Sequence, residues 1–94
     1  MTEWSVSAAP ARYAHIATEM GEADVVTGLR KLNRDVGIPV LRGLDIPEQR
    51  YRSLLEKMSV DALASGSPAN NPRDASAAQI VELYHKAYAE TAWA

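Results

Sequence analysis

Asn70 to Trp93 reads NNPRDASAAQIVELYHKAYAETAW, and this stretch decides the fold. Pro72 supplies no amide donor and pushes Asn71 out of helical geometry, so whatever precedes it stops there. Ser76 and Gln79 have the spacing of a capping box, in which the serine hydroxyl takes a first-turn amide proton and the glutamine side chain reciprocates. From there Ile80, Val81, Leu83, Tyr84, Ala87 and Tyr88 fall on one broad stripe, while Glu82, Lys86 and Glu90 face elsewhere. The pattern predicts a helix over 77–92, introduced by a stiff polar turn.

Working outward, the same helical period recurs three times. Tyr13, Ile16, Ala17 and Met20 repeat at i, i+3, i+4 and i+7, with Gly21 as a left-handed stop. That predicts a helix over 8–20, with Ser7 as its cap and Pro10 tolerated in its first turn. Asp24 caps a second helix, over 24–36, whose buried line is Val25, Leu29, Leu32 and Val36; Gly37 and Pro39 end it. Gly28 within it costs about 1 kcal/mol against alanine, which points to a close contact there. Leu41, Leu44 and Ile46 are expected to turn inward from a connector. Pro47 then opens a third helix, over 47–64, with Tyr51, Leu54, Leu55 and Met58 as its apolar face and Ser59 capping a short continuation. Ser65 to Pro72 is a loop rich in Gly, Ser, Pro and Asn, and Met1 to Ser7 is expected to be irregular, anchored by Trp4. Four helices with short connections predict a single all-α domain over 1–94, a four-helix bundle-like arrangement.

Composition narrows the function classes. The chain has 94 residues, 10 Lys and Arg against 12 Asp and Glu, and no Cys. Without a basic stripe, neither nucleic acid nor an anionic membrane surface is an expected partner. No apolar run reaches the roughly 18 residues of a membrane span, and the N-terminus is not a secretion signal. The absence of Cys excludes disulfides and cysteine-based metal sites or nucleophiles. A cytoplasmic protein is expected. His15 and His85 stand far apart, each with only one glutamate a turn away (Glu19 and Glu82), which suits surface pairing better than metal binding. No serine lies in a nucleophile elbow, and Ser65-Gly66-Ser67 is too poor in glycine for a phosphate cradle. Arg73, at a helix start where a cation needs a partner, is expected to join Asn70, Asn71 and Pro72 in pinning the loop, or else to line a cleft. Tyr51, Tyr84 and Tyr88 are expected in the core or at an interface.

Three phrases in order carry a resemblance: ARYAHIATEMG (Ala11 to Gly21), LNRDVGIP (Leu32 to Pro39) and NNPRDASAAQIVELYHKAY (Asn70 to Tyr88), with LDIPEQ (Leu44 to Gln49) between them. Together they resemble the C-terminal end of the iron-dependent (group III) alcohol dehydrogenases, particularly the lactaldehyde reductase/1,2-propanediol oxidoreductase branch. The resemblance implies the C-terminal part of a helical domain. In the full family that domain holds Fe²⁺ or Zn²⁺ through an Asp and three His, beside a separate NAD(P)-binding domain with a glycine-rich turn. The ligands and that turn precede the matched region, so the resemblance implies no catalytic, cofactor-binding or metal residue here, and neither His15 nor His85 matches a ligand. It implies a fragment or subunit that is inactive alone. The alternative is a free-standing helical interaction or dimerisation module. In either case Trp4, Tyr88 and Trp93 are expected on a surface covered by another copy or by the remaining dehydrogenase segment.

Overall fold

A computed structural model describes residues 1–93. Its elements are α1 (Thr2–Ser5), a 3₁₀ turn (Val6–Ala8), α2 (Pro10–Met20), α3 (Val25–Asp35), a 3₁₀ turn (Leu41–Leu44), α4 (Glu48–Ala64), a 3₁₀ turn (Ser67–Asn70) and α5 (Ala77–Ala89). The described residues are all-helical, with no strand. The α2–α3 pair forms one helical hairpin and the longer α4–α5 pair a second. α1 packs on α3, and the Leu41–Leu44 turn packs on α5.

The helix ends follow local chemistry where a single side chain can decide them. Asp24 Oδ1 accepts the Thr27 amide at 2.9 Å, capping α3. At α5 the capping box is complete: Gln79 donates its amide to Ser76 Oγ at 3.2 Å, and Ser76 donates its amide to Gln79 Oε1 at 3.0 Å. Gly21 closes α2 in the left-handed region, at φ 73°. Gly28 is the predicted close approach, since a β-carbon there would lie 2.8 Å from Met20 Cε and 2.9 Å from Glu22 Cγ.

Other boundaries differ from the sequence expectation. The first residues are not irregular but helical, and the 3₁₀ turn that follows delays α2 to Pro10, with Ala9 rather than Ser7 in the capping position. Proline needs no intrahelical acceptor for an amide it lacks, so it starts the helix without a side-chain cap. Ser59 caps nothing: α4 runs through it unbroken, and its fully buried hydroxyl donates to the Leu55 carbonyl at 2.8 Å. α5 ends at Ala89 rather than at residue 92, because Glu90 turns extended (φ −64°, ψ 130°).

The buried apolar set is small: Ala17, Val25, Tyr51, Leu55 and Ile80. Leu32 and Val36, expected to continue the buried line of α3, are 50% and 61% exposed. Leu44 and Leu54 are also exposed. The physical reason is cover on one side only: among the described elements α3 packs on α2 and α1 and on no other, so the rest of its apolar stripe meets no second layer. The Cα trace extends 39 × 28 × 17 Å. The radius of gyration is 14.5 Å, against about 12 Å for a compact chain of this length. The accessible surface is 6436 Å², against about 5300 Å² expected for a folded monomer of this mass.

Candidate functional site

Of the residues singled out in the sequence, Trp4 and Trp93 come together. They line one cleft of about 240 Å³ with Arg30, Leu41, Leu83 and Lys86. α1 brings Trp4, α3 brings Arg30, and the extended tail after α5 carries Glu90 and Trp93. The tail is held because Trp93 Nε1 donates to the Ile38 carbonyl at 2.6 Å.

Four charged side chains line this cleft. Arg30 Nη2 donates to Glu90 Oε1 and lies 3.5 Å from Glu3 Oε2; Lys86 Nζ lies 3.2 Å from Glu3 Oε1. Two cationic side chains thus meet two carboxylates, beside Met1 at the same cleft. The hydrogen bond from Arg30 holds the Glu90 carboxyl below its ordinary value, so it stays ionised and is a poor proton donor near neutral pH. The arrangement supplies apolar walls and an ionic clasp between α1, α3 and the tail.

The Asn70–Arg73 turn is anchored to the N-terminus. Asn71 Nδ2 donates to Ser5 Oγ at 2.8 Å and to the Arg73 carbonyl at 2.9 Å. Arg73 Nη1 donates to the Trp4 carbonyl at 2.8 Å, and its guanidinium stacks 3.9 Å over the Trp4 ring. The helix-start cation has the partner it requires: a carbonyl and an aromatic face. Asn70 and Pro72 are exposed at the bend.

Tyr88 lies apart from the tryptophan cleft. Its hydroxyl donates to the Ile46 carbonyl at 2.8 Å, and its ring stacks on Tyr51 with centroids 4.6 Å apart. Trp4, Tyr88 and Trp93 are each half-buried and bonded within the chain. The exposed large apolar side chains are others, among them Ile16, Leu32, Val36, Ile38 and Val60.

His15 pairs with Glu19 at 3.9 Å, both well exposed. His85 is exposed and pairs with no carboxylate among the described residues. Among those residues no three His, Asp or Glu side chains gather where they would hold a metal ion, and no helix is long and apolar enough to cross a membrane. The Glu3–Arg30–Glu90–Lys86 cluster is what sequence reasoning missed. Its members are distant in the chain and each reads locally as a solvated charge, so no spacing signals them.

Comparison with known proteins bears on this geometry. No family model matches the chain, and no solved structure matches it. An alcohol dehydrogenase of Thermococcus barophilus is 34% identical to it over 80 residues, which is 82% of this chain and 21% of that protein. The chain spans about a fifth of the length of the curated relative it matches. It is similar to a segment of an alcohol dehydrogenase.

Proposed function

We propose that the chain serves as the C-terminal helical part of an iron-dependent, group III-type alcohol dehydrogenase and is not catalytic by itself. The observation that carries this reading is the 34% identity to an alcohol dehydrogenase, confined to about a fifth of that protein. The three phrases that resemble the iron-dependent branch refine it. In keeping with it, no three His, Asp or Glu side chains gather among the described residues, and no glycine-rich turn follows a strand among them. In this reading Fe²⁺ or Zn²⁺ and NAD(P) are bound by a separate stretch of dehydrogenase chain, in the cytoplasm. These helices then contribute packing surface, with neither nucleic acid nor membrane as a partner.

The test is reconstitution. The purified 94-residue chain with Fe²⁺ should give no alcohol-dependent reduction of NAD or NADP. Co-expression with the ligand-bearing remainder of an alcohol dehydrogenase should give a soluble complex whose activity depends on both parts. Turnover by the chain alone would overturn the reading, as would full activity of the remainder without it.

The excess surface and the exposed Leu32, Val36 and Ile38 favour a second reading, a helical dimerisation module. Light scattering on the purified chain separates the two. A stable dimer at low micromolar concentration favours the module, and a monomer favours the dehydrogenase segment.

A further inference from the structure

The space between the first turn of α4 and the last turn of α5 lies outside the tryptophan cleft. It is a pocket of about 290 Å³ lined by Arg42, Glu48, Tyr51, Arg52, His85 and Tyr88. Two guanidiniums and an imidazole share it with one carboxylate.

Arg42 is positioned from two sides. Its Nε donates to the Tyr88 carbonyl at 2.8 Å, and its guanidinium lies 5.3 Å over the Tyr88 ring. Among the described residues its terminal Nη groups have no hydrogen-bond acceptor, so they remain free donors. Arg52 gives one Nη to Glu48 at 2.9 Å, and both side chains are more than half exposed. Such a pair is weak and exchangeable.

The start of α4 adds to this. The helix begins after Pro47 with no side-chain cap and carries Glu48 in its first turn, so the first-turn amides have that one carboxylate, itself shared with Arg52, to offset their positive pole. At the end of α5, Arg42 takes one of the last-turn carbonyls, that of Tyr88. Farther along the α4–α5 groove stand Glu56 and Glu82, which confine a bound anion to the tyrosine end.

We infer that this pocket binds a small oxyanion of the phosphate class, held by the guanidiniums of Arg42 and Arg52 at the positive pole of α4, with His85 as a further donor. Paired N–H groups of a guanidinium match two oxygens of one phosphoryl group, whereas chloride offers no such pair. The site is independent of the dehydrogenase reading and would stand if that reading failed.

Calorimetric titration of the 94-residue chain with inorganic phosphate tests it, against chloride at matched ionic strength. Saturable one-site binding to phosphate and none to chloride is expected. R52Q removes a charged donor from an exposed side chain and should weaken binding about tenfold. E48Q frees Arg52 from its competitor and should tighten binding about threefold. K57Q, on the α4 surface outside the pocket, should bind as the parent does. Circular dichroism shows whether each variant is folded; Arg52 and Glu48 are exposed enough that both should be. Phosphate heat no greater than chloride heat overturns the assignment, as do R52Q and E48Q affinities equal to the parent's.

Discussion

Replacing Tyr51 separates the energy of a hydroxyl from that of a ring at the joint between α4 and α5. The side chain is 6% exposed. Its ring meets Tyr84 edge-on at 6.4 Å and stacks on Tyr88 at 4.6 Å, and its hydroxyl donates to the Tyr84 carbonyl at 2.7 Å. Tyr51→Phe removes only that donor. The Tyr84 carbonyl lies within α5, where the helical ladder still serves it, so no buried group is orphaned and the cost should be about 1 kcal/mol. For a chain of this size that is a melting-temperature loss of about 4–8 °C. Tyr51→Ala also empties the ring's volume and deletes two aromatic pairs worth about 0.5–1.5 kcal/mol each. The total should be about 4 kcal/mol, most of the stability of a chain near the low end of about 5–14 kcal/mol for this length. Alkaline pH adds a check. Burial, with a smaller contribution from Tyr84 and Tyr88, raises the Tyr51 pKa above its ordinary 10.0. A raised native value means the contribution is whole below the ordinary tyrosine value and is lost as pH rises through the native one. The stability gap between parent and Tyr51→Phe, read by thermal circular dichroism, should therefore narrow above about pH 10. Equal melting temperatures near neutral pH would refute the buried donor, and a gap unchanged into the alkaline range would refute the burial argument.

Three other perturbations test separate parts of the structure. Arg73→Ala loses both the Trp4 carbonyl and the Trp4 ring; it should cost about 1–2 kcal/mol and speed proteolysis within the first nine residues, and a parent-like digestion rate would refute the anchoring role. Gly28→Ala gains about 1 kcal/mol of helix propensity, but Met20 Cε can swing aside whereas Glu22 Cγ, one bond from its own β-carbon, cannot. Overpacking of about 1–3 kcal/mol should win, so the melting temperature should fall; a rise would show that Glu22 yields. Glu90 is held below its ordinary 4.5 by Arg30, so its contribution is whole above that value and is lost as pH falls through the native one. Tryptophan fluorescence should report the tail loosening on acidification in the parent, with that transition missing from Glu90→Gln; identical acid titrations would refute the clasp.

What the sequence disclosed about this fold is what one side chain can decide on its own. The Ser76–Gln79 box, the Asp24 cap and the Gly21 stop each rest on groups within a turn of one another, and all three lie where the spacing put them. Arg73 was legible as a cation needing a partner, though not that the partner would be Trp4 at the far end of the chain. The Glu3–Arg30–Glu90–Lys86 cluster was illegible, because four ordinary surface charges become a clasp only when α1, α3 and the tail converge.

Leu32 and Val36 mark a different kind of limit. Their spacing identifies an apolar face on α3 but carries no information about what lies against it, and within this chain little does: both are half exposed or more. The same lack of cover accompanies a buried apolar set of five residues and a surface well above that of a compact monomer. An amphipathic helix reaches a stable arrangement when a second layer covers its apolar stripe, and α3, packed only on α1 and α2 among the described elements, has that layer along one side. A segment matching a fifth of a larger dehydrogenase would have its layer supplied by the other four-fifths; a dimerisation module would take it from a second copy. The two differ in the surface used. Leu32→Glu and Val36→Glu should leave the isolated chain's stability within about 0.5 kcal/mol, as exposed positions do, while abolishing assembly with whichever partner covers α3.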